Sequence, residues 1–122
     1  MHRLLVAVVV SLVLTSTAAA RIRNPVERGY ARGCTHGHVR SCIHRAAIHY
    51  RQSYGYLLSV AWCESRLNPS ATNGQYAGLF QFGPNAWSRA HYSNHSPYQA
   101  KWAALAAAYM FSIGHSSEWS CA

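Results

Sequence analysis

Four cysteines set the tightest limit on what this chain can fold into. Cys34, Cys42, Cys63 and Cys121 are its only thiols, and all lie beyond a stretch that reads as an export signal. His2 and Arg3 open that stretch. An apolar run of 11 residues, Leu4 to Leu14, follows, and the small residues Ala18, Ala19 and Ala20 end it. A basic start, a short apolar middle and a small-residue end define a secretory signal over 1–20, cleaved near Ala20. The run is too short to cross a bilayer, so no membrane span is expected. A secreted or periplasmic, cell-wall location follows. In that oxidising compartment an even cysteine count predicts two disulfides, with three pairings open. The favoured set joins Cys34 to Cys42 as a local loop and Cys63 to Cys121 as a long clasp. Such a clasp contributes about 4 kcal/mol by restricting the unfolded chain. A metal site is the competing reading, because Cys34, His36, His38, Cys42 and His44 crowd together. Their spacing matches no usual zinc pattern, so no metal is assigned.

At 122 residues, two independent cores would each bury too little surface, and a monomeric single domain is expected. The chain is 50% apolar and 11% charged, which excludes a disordered composition. A formal charge of +8 favours anionic partners. Wall polymers, acidic membranes and nucleic acid all qualify by charge, and export places nucleic acid last.

The pattern along the chain is mainly helical. Residues 21–38 carry Arg, Gly and Pro without periodicity and read as a basic, extended lead-in. From Val39 the apolar spacing turns helical. Val39, Cys42, Ile43, Ala46, Tyr50 and Tyr54 share one face, and Gly55 marks the interruption. A second helix, Tyr56 to Ser65, ends ahead of Asn68-Pro69, since proline disfavours helix at the residue before it. Loops dominate from Asn68 to Pro84, with a short β arm within Tyr76–Phe82. Asn85–His91 forms a short helix. Ser96-Pro97-Tyr98-Gln99 has the form of a capping box opening a last helix, which runs to Ile113 and stops at Gly114. Tyr98, Trp102, Leu105, Tyr109 and Ile113 share the inner face expected for it, and Ala103–Ala108 allows close approach of neighbours. Trp62, Trp102 and Trp119 are assigned to the core; Trp87 is left open.

The acids are more informative still. There is no aspartate, and Glu27, Glu64 and Glu118 are the only carboxylates among the side chains. On a helical projection Glu64 falls inside the apolar arc of Leu57, Leu58, Val60, Ala61 and Trp62. A desolvated carboxyl has a raised pKa, which suits a general acid near neutral pH. The plain alternative is a structural Glu bonded to loop amides at a helix end.

The run Trp62-Cys63-Glu64-Ser65-Arg66-Leu67-Asn68-Pro69-Ser70-Ala71, followed by Gly78-Leu79-Phe80-Gln81-Phe82 and Pro84-Asn85-Ala86-Trp87, resembles the lysozyme-like domain of lytic transglycosylases. Cys63-Glu64-Ser65 with Trp119-Ser120-Cys121 also resembles resuscitation-promoting factors. The resemblance covers roughly Ala47 to Cys121. It implies a small, mainly α lysozyme-like α+β domain over 39–122, with a short β arm. It implies an enzyme, free of cofactors, acting on the β-1,4 bond between N-acetylmuramic acid and N-acetylglucosamine of peptidoglycan strands. Glu64 would be the sole acid/base, the product a 1,6-anhydro sugar, and Ser65 and Gln81 substrate ligands. Glycosidases that use water usually need two carboxylates, and the acid inventory here is poor. Hydrolysis by the same glutamate stays open, as does a cationic wall-binding protein that does not cut. The family pattern Ala-Tyr-Asn on the late helix is here Ala108-Tyr109-Met110, so only the tyrosine matches. Tyr109 is equally a candidate partner of Glu64 and a core residue. Tyr76 and Phe80 are the candidates for packing on sugar faces.

Overall fold

The computed structural model describes Cys34 and residues 38–122. The expected signal segment, nearly all of the lead-in, and His36 lie outside the described residues. The helix α1, Val39–Tyr50, buries Cys42, Ile43, Ala46 and Ala47 on the stripe expected for it. It ends in a left-handed residue, Arg51 (φ 54°), whose amide donates to the Ile48 carbonyl, while Gln52 N–H reaches back to Ala47. Such 5→2 and 6→1 bonds satisfy the last helical carbonyls. The next helix, α2, then starts at once. Ser53 accepts a hydrogen bond from the Tyr56 amide as its cap, and α2 spans Tyr54–Ser65. The break therefore falls at Arg51–Ser53 and not at Gly55, which lies inside α2 together with Tyr54. The serine cap outweighs the glycine as a boundary signal, because a glycine in a first helical turn costs only about 1 kcal/mol.

The α2 helix buries Leu57, Val60 and Ala61. Arg66 and Leu67 (φ 55° and 61°) reverse the chain after it. Two short antiparallel strands follow, β1 (Thr72–Asn73) and β2 (Tyr76–Ala77), paired Thr72 with Ala77 and Asn73 with Tyr76. The arm folds on through a bridge between Ala77 and Phe82. A six-residue helix, α3, runs Pro84–Arg89, with proline in its first turn where no amide is needed. The long α4 spans Ala100–Ser112, and a 3-10 turn, Ser116–Glu118, leads to the C-terminal residues. This is the mainly α architecture with a small β arm that the sequence implies. No helix among the described residues is long and apolar enough to cross a membrane.

Two expectations about α4 need correction. Ser96–Gln99 closes its own turn ahead of the helix, with Ser96 Oγ accepting from Tyr98 N–H, so Gln99 becomes the cap residue and no capping box forms. The buried face is also different. Ala103, Ala104, Ala107, Ala108, Met110 and Phe111 are buried and α4 packs chiefly on α1, whereas Tyr98 and Ile113 are exposed. Trp102, Leu105 and Tyr109 are half-buried at the rim. The alanines bring the two helix backbones too close for large side chains between them, and the rings are displaced to the edge of the contact.

Part of the same core joins the arm to the C-terminal residues. Phe82 packs edge-on against Trp87 and Trp119, and Trp119 against Phe111, with centroids 5.0–5.2 Å apart. Trp119 is thus core, as expected. Trp87 also serves structure, since its Nε1 donates to the His95 carbonyl. Trp62 is not core: it is 49% exposed, with the Arg66 guanidinium 5.1 Å above its ring. It lies too far round α2 to reach the stripe of Leu57, Val60 and Ala61.

Both disulfides pair as favoured, Cys34 with Cys42 and Cys63 with Cys121. The local bridge also consumes the two thiols that the metal reading required.

One contact leaves no room for any side chain. Gly78 has φ +78°, and a Cβ there would sit 2.0 Å from the Pro97 carbonyl oxygen. Gly78→Ala is expected to lower stability by roughly 3 kcal/mol or more in denaturant unfolding, through both clash and backbone strain. Gly55→Ala, in open space on α2, should be neutral or gain about 0.5–1 kcal/mol. Equal effects would show that the approach of residues 78 and 97 does not matter.

Candidate active site

Glu64 occupies the last turn of α2, half-buried. Three connections fix its surroundings. The neighbouring Ser65 Oγ lies 2.7 Å from the Leu79 carbonyl and 3.1 Å from the Ala61 carbonyl, and donates to this pair. The Trp119 Nε1–H donates to the Phe80 carbonyl at 2.7 Å. The Cys63–Cys121 bridge joins the residue before Glu64 to the C-terminal residues. The helix end, the loop 79–81 and the segment 119–121 are therefore tied together around one carboxyl group.

Its electrostatics follow from that position. Desolvation raises the Glu64 pKa above the ordinary glutamate value, and hydrogen bonding from the Cys121 backbone acts in the opposite direction. The C-terminal end of a helix dipole also disfavours negative charge there. The side chain is neither in bulk solvent nor sealed off. It has the properties of a proton donor that solutes can reach.

Beside this junction lies a groove of about 410 Å³, lined among others by Tyr76, Gln81, Asn85, Arg89, Glu118 and Trp119. Gln81 adopts a left-handed conformation (φ 50°), and its Nε2 donates to the carbonyls of Gly78 and Ala71. Those bonds hold the side-chain amide still and leave its oxygen as an acceptor. The Tyr76 ring is 46% exposed and rests against Gly83, where a Cβ would meet the ring at 3.3 Å. It presents a flat apolar face with a hydroxyl at one end.

The other expected site residues are placed differently. Phe80 is fully buried in the core, so its ring offers no face to a sugar; it lies in the turn after β2, where Leu79 and Phe80 are both buried. The Ser65 hydroxyl is committed to backbone acceptors and acts as a tether between helix and loop. Tyr109 packs against the rings of Tyr50 and His91, with centroids 5.7 and 5.1 Å away. It thus joins a cluster in which the Tyr50 and Tyr92 hydroxyls are hydrogen-bonded. Burial, then that bond, pushes the Tyr50 pKa well above the usual tyrosine range.

Sequence reasoning missed Arg89 and the groove position of Glu118. Arg89 Nη2 lies 2.6 Å from Glu118 Oε1, and His115 Nδ1 lies 3.6 Å from the same oxygen. The charges were visible, but nothing in the local sequence brings positions 89 and 118 together. The second described carboxylate is therefore held by a cation, while Glu64 has no ion-pair partner among the described residues.

The fold is a small, mainly helical domain with a two-stranded antiparallel arm and two disulfides. The chain belongs to the transglycosylase SLT domain family, whose model matches residues 41–113. Membership assigns it to lytic transglycosylase-like enzymes, which act on peptidoglycan. No curated protein and no solved structure matches it.

The tether around Glu64 is open to a direct test. Replacing Cys63 and Cys121 together by serine should cost about 4 kcal/mol in denaturant unfolding, because a long loop is released in the unfolded chain. A loss below about 1 kcal/mol would mean that the bridge does not support the site.

Proposed function

We propose that this chain is an exported lytic transglycosylase that cuts the β-1,4 bond between N-acetylmuramic acid and N-acetylglucosamine, with Glu64 as its acid and base. The observation that carries this reading is a half-buried carboxyl with a raised pKa at the tethered end of α2; the carboxyl does not itself line the groove, whose wall includes Trp119 of the same junction. Glu64 donates its proton to the bridging oxygen, and the bond from that oxygen to C1 breaks. The 6-hydroxyl of the same muramyl residue then attacks C1, and its proton returns to Glu64. The product is a 1,6-anhydro sugar, no water is consumed, and the enzyme ends as it began.

Gln81 and Tyr76 form the proposed binding surface, one giving a fixed amide and the other a ring for the sugar's C–H face. Ser65 takes a positioning role through Leu79. Tyr109 is proposed to serve structure, through its packing on Tyr50 and His91 where α1 meets α4. Two disulfides, the basic balance and the leader support export to the wall.

Hydrolysis is the second reading, and one observation favours it: Glu118, the other glutamate among the described residues, lies in the groove wall. Its pairing with Arg89 argues for a structural role. Mass spectrometry of released muropeptides separates the two. Anhydro ends, lighter by one water than hydrolysed ends, are expected; purely hydrated ends would establish hydrolysis.

Glu64→Gln should lower wall solubilisation by about 10²–10⁴-fold, the range of general acid–base catalysis. An active variant would remove Glu64 from the chemistry. The raised pKa also has a sign that can be checked. Ionising Glu64 costs folding free energy, so stability falls as pH rises from the ordinary value, about 4.3, through the raised one. Glu64→Gln should therefore be more stable than the parent at neutral pH, with the difference vanishing below about pH 4. Matching stabilities at pH 7 would show that the carboxyl is well solvated.

A further inference from the structure

A second groove lies on the α1–α4 side of the molecule and shares no lining residue with the first. Its volume is about 490 Å³. Ile48, Tyr92, Trp102 and Leu105 form its apolar part, and Arg45, His49 and Lys101 its basic part. A smaller hollow beside it, bounded by Tyr98 and Gln99, continues along α4 through the same Lys101 and Trp102.

The floor is rigid. His95 stacks on Trp102 with centroids 3.5 Å apart and planes within 7°, and Lys101 Nζ stands 4.6 Å from the indole centroid. Tyr92 is tied to Tyr50. At the edge Ile48 is 61% exposed.

The charge balance points to what the groove takes. Glu64 and Glu118 are the only carboxylate side chains among the described residues, and neither lines it. Arg45 and Lys101 have no carboxylate partner among the described residues. The chain's own segments are poor occupants. The lead-in brings Arg21, Arg23, Arg28 and Arg32 against Glu27, and a second copy would oppose cations to cations. The fitting ligand is anionic, with apolar faces between its charges.

We propose that this groove is a second, non-catalytic binding site for the carboxylate-bearing glycan strand of peptidoglycan. Arg45 and Lys101 meet carboxylates of the muramyl substituents, and Ile48 with Leu105 packs against sugar C–H groups, while Trp102, covered by His95 and Lys101, holds the floor. This rests on the peptidoglycan reading above. A concave site suits a strand better than a flat lipid surface. Holding one polymer at two sites raises the effective concentration of cuttable bonds at the first groove.

The test uses the disulfide-bonded exported chain carrying Glu64→Gln, so that the polymer is bound and not consumed. Arg45→Glu with Lys101→Glu should lower its retention on insoluble peptidoglycan, stripped of phosphate-bearing polymers, by about ten-fold or more at low salt. Arg45→Lys with Lys101→Arg should retain capture, which separates lost charge from lost folding. In the Glu64 parent, the charge-reversed pair should cleave a short soluble glycan at the unaltered rate while losing rate on the insoluble polymer. Unchanged retention, or equal loss on the short glycan, would overturn the proposal. So would capture by anionic lipid vesicles or a phosphate polymer in preference to stripped peptidoglycan. Failure of the catalytic reading shows separately, as cleavage by the Glu64→Gln protein.

Discussion

The structure depends on how the end of α2 is held. A carboxyl on the last turn of a 12-residue helix would ordinarily project into water and keep an ordinary pKa. Here Ser65 bonds to the arm, Trp119 bonds to the arm, and Cys63 is joined to Cys121. These ties bring the C-terminal residues over the helix end and withdraw water from Glu64. The raised pKa results from that junction, and Trp119, one of its members, also lines the groove. The backbone tolerates left-handed Arg66, Leu67 and Gln81 nearby because the surrounding bonds determine their conformations.

Alanine supplies the other organising device. The alanine face of α4 lets α1 come close, and the aromatic side chains are forced outward to the rims of that contact. Bulk that cannot enter the helix interface becomes surface. Trp102, Tyr92 and Tyr109 are therefore half-buried and fixed by one another and by histidines. Where the arm and the C-terminal residues meet α4, Phe82, Phe111 and Trp119 bury their rings fully or nearly so.

Electrostatically the molecule has two unlike sides. Around the first groove, cation and carboxylate occur together, since Arg89 is answered by Glu118. Around the second, no carboxylate among the described residues answers Arg45 or Lys101. A chain with so few acids cannot balance its surface everywhere, and the imbalance falls where α1 and α4 meet solvent. The family's substrate, peptidoglycan, is a polymer that can carry carboxylates, and such an imbalance is its electrostatic complement.

Much of this was legible in the sequence. The stripe of Cys42, Ile43, Ala46 and Ala47, the disulfide pairing, the arm near Tyr76 and the singular position of Glu64 all follow from local periodicity, spacing and composition. Helix boundaries were less legible: Ser53 overrode Gly55, and Gln99 displaced Ser96 as a cap. Phe80, Trp62 and the face of α4 were misjudged for a single reason. A hydrophobic side chain's burial depends on what stands opposite it, and a one-dimensional pattern carries no opposite side. The sequence by itself determined that one carboxyl would sit at the end of an apolar helix in a disulfide-closed domain. Only the tertiary structure decided that the carboxyl would be half-desolvated, that Arg89 would claim Glu118, and that basic residues would gather along the second groove. Those outcomes need groups far apart in the chain to be brought within a few ångströms, which folding alone accomplishes.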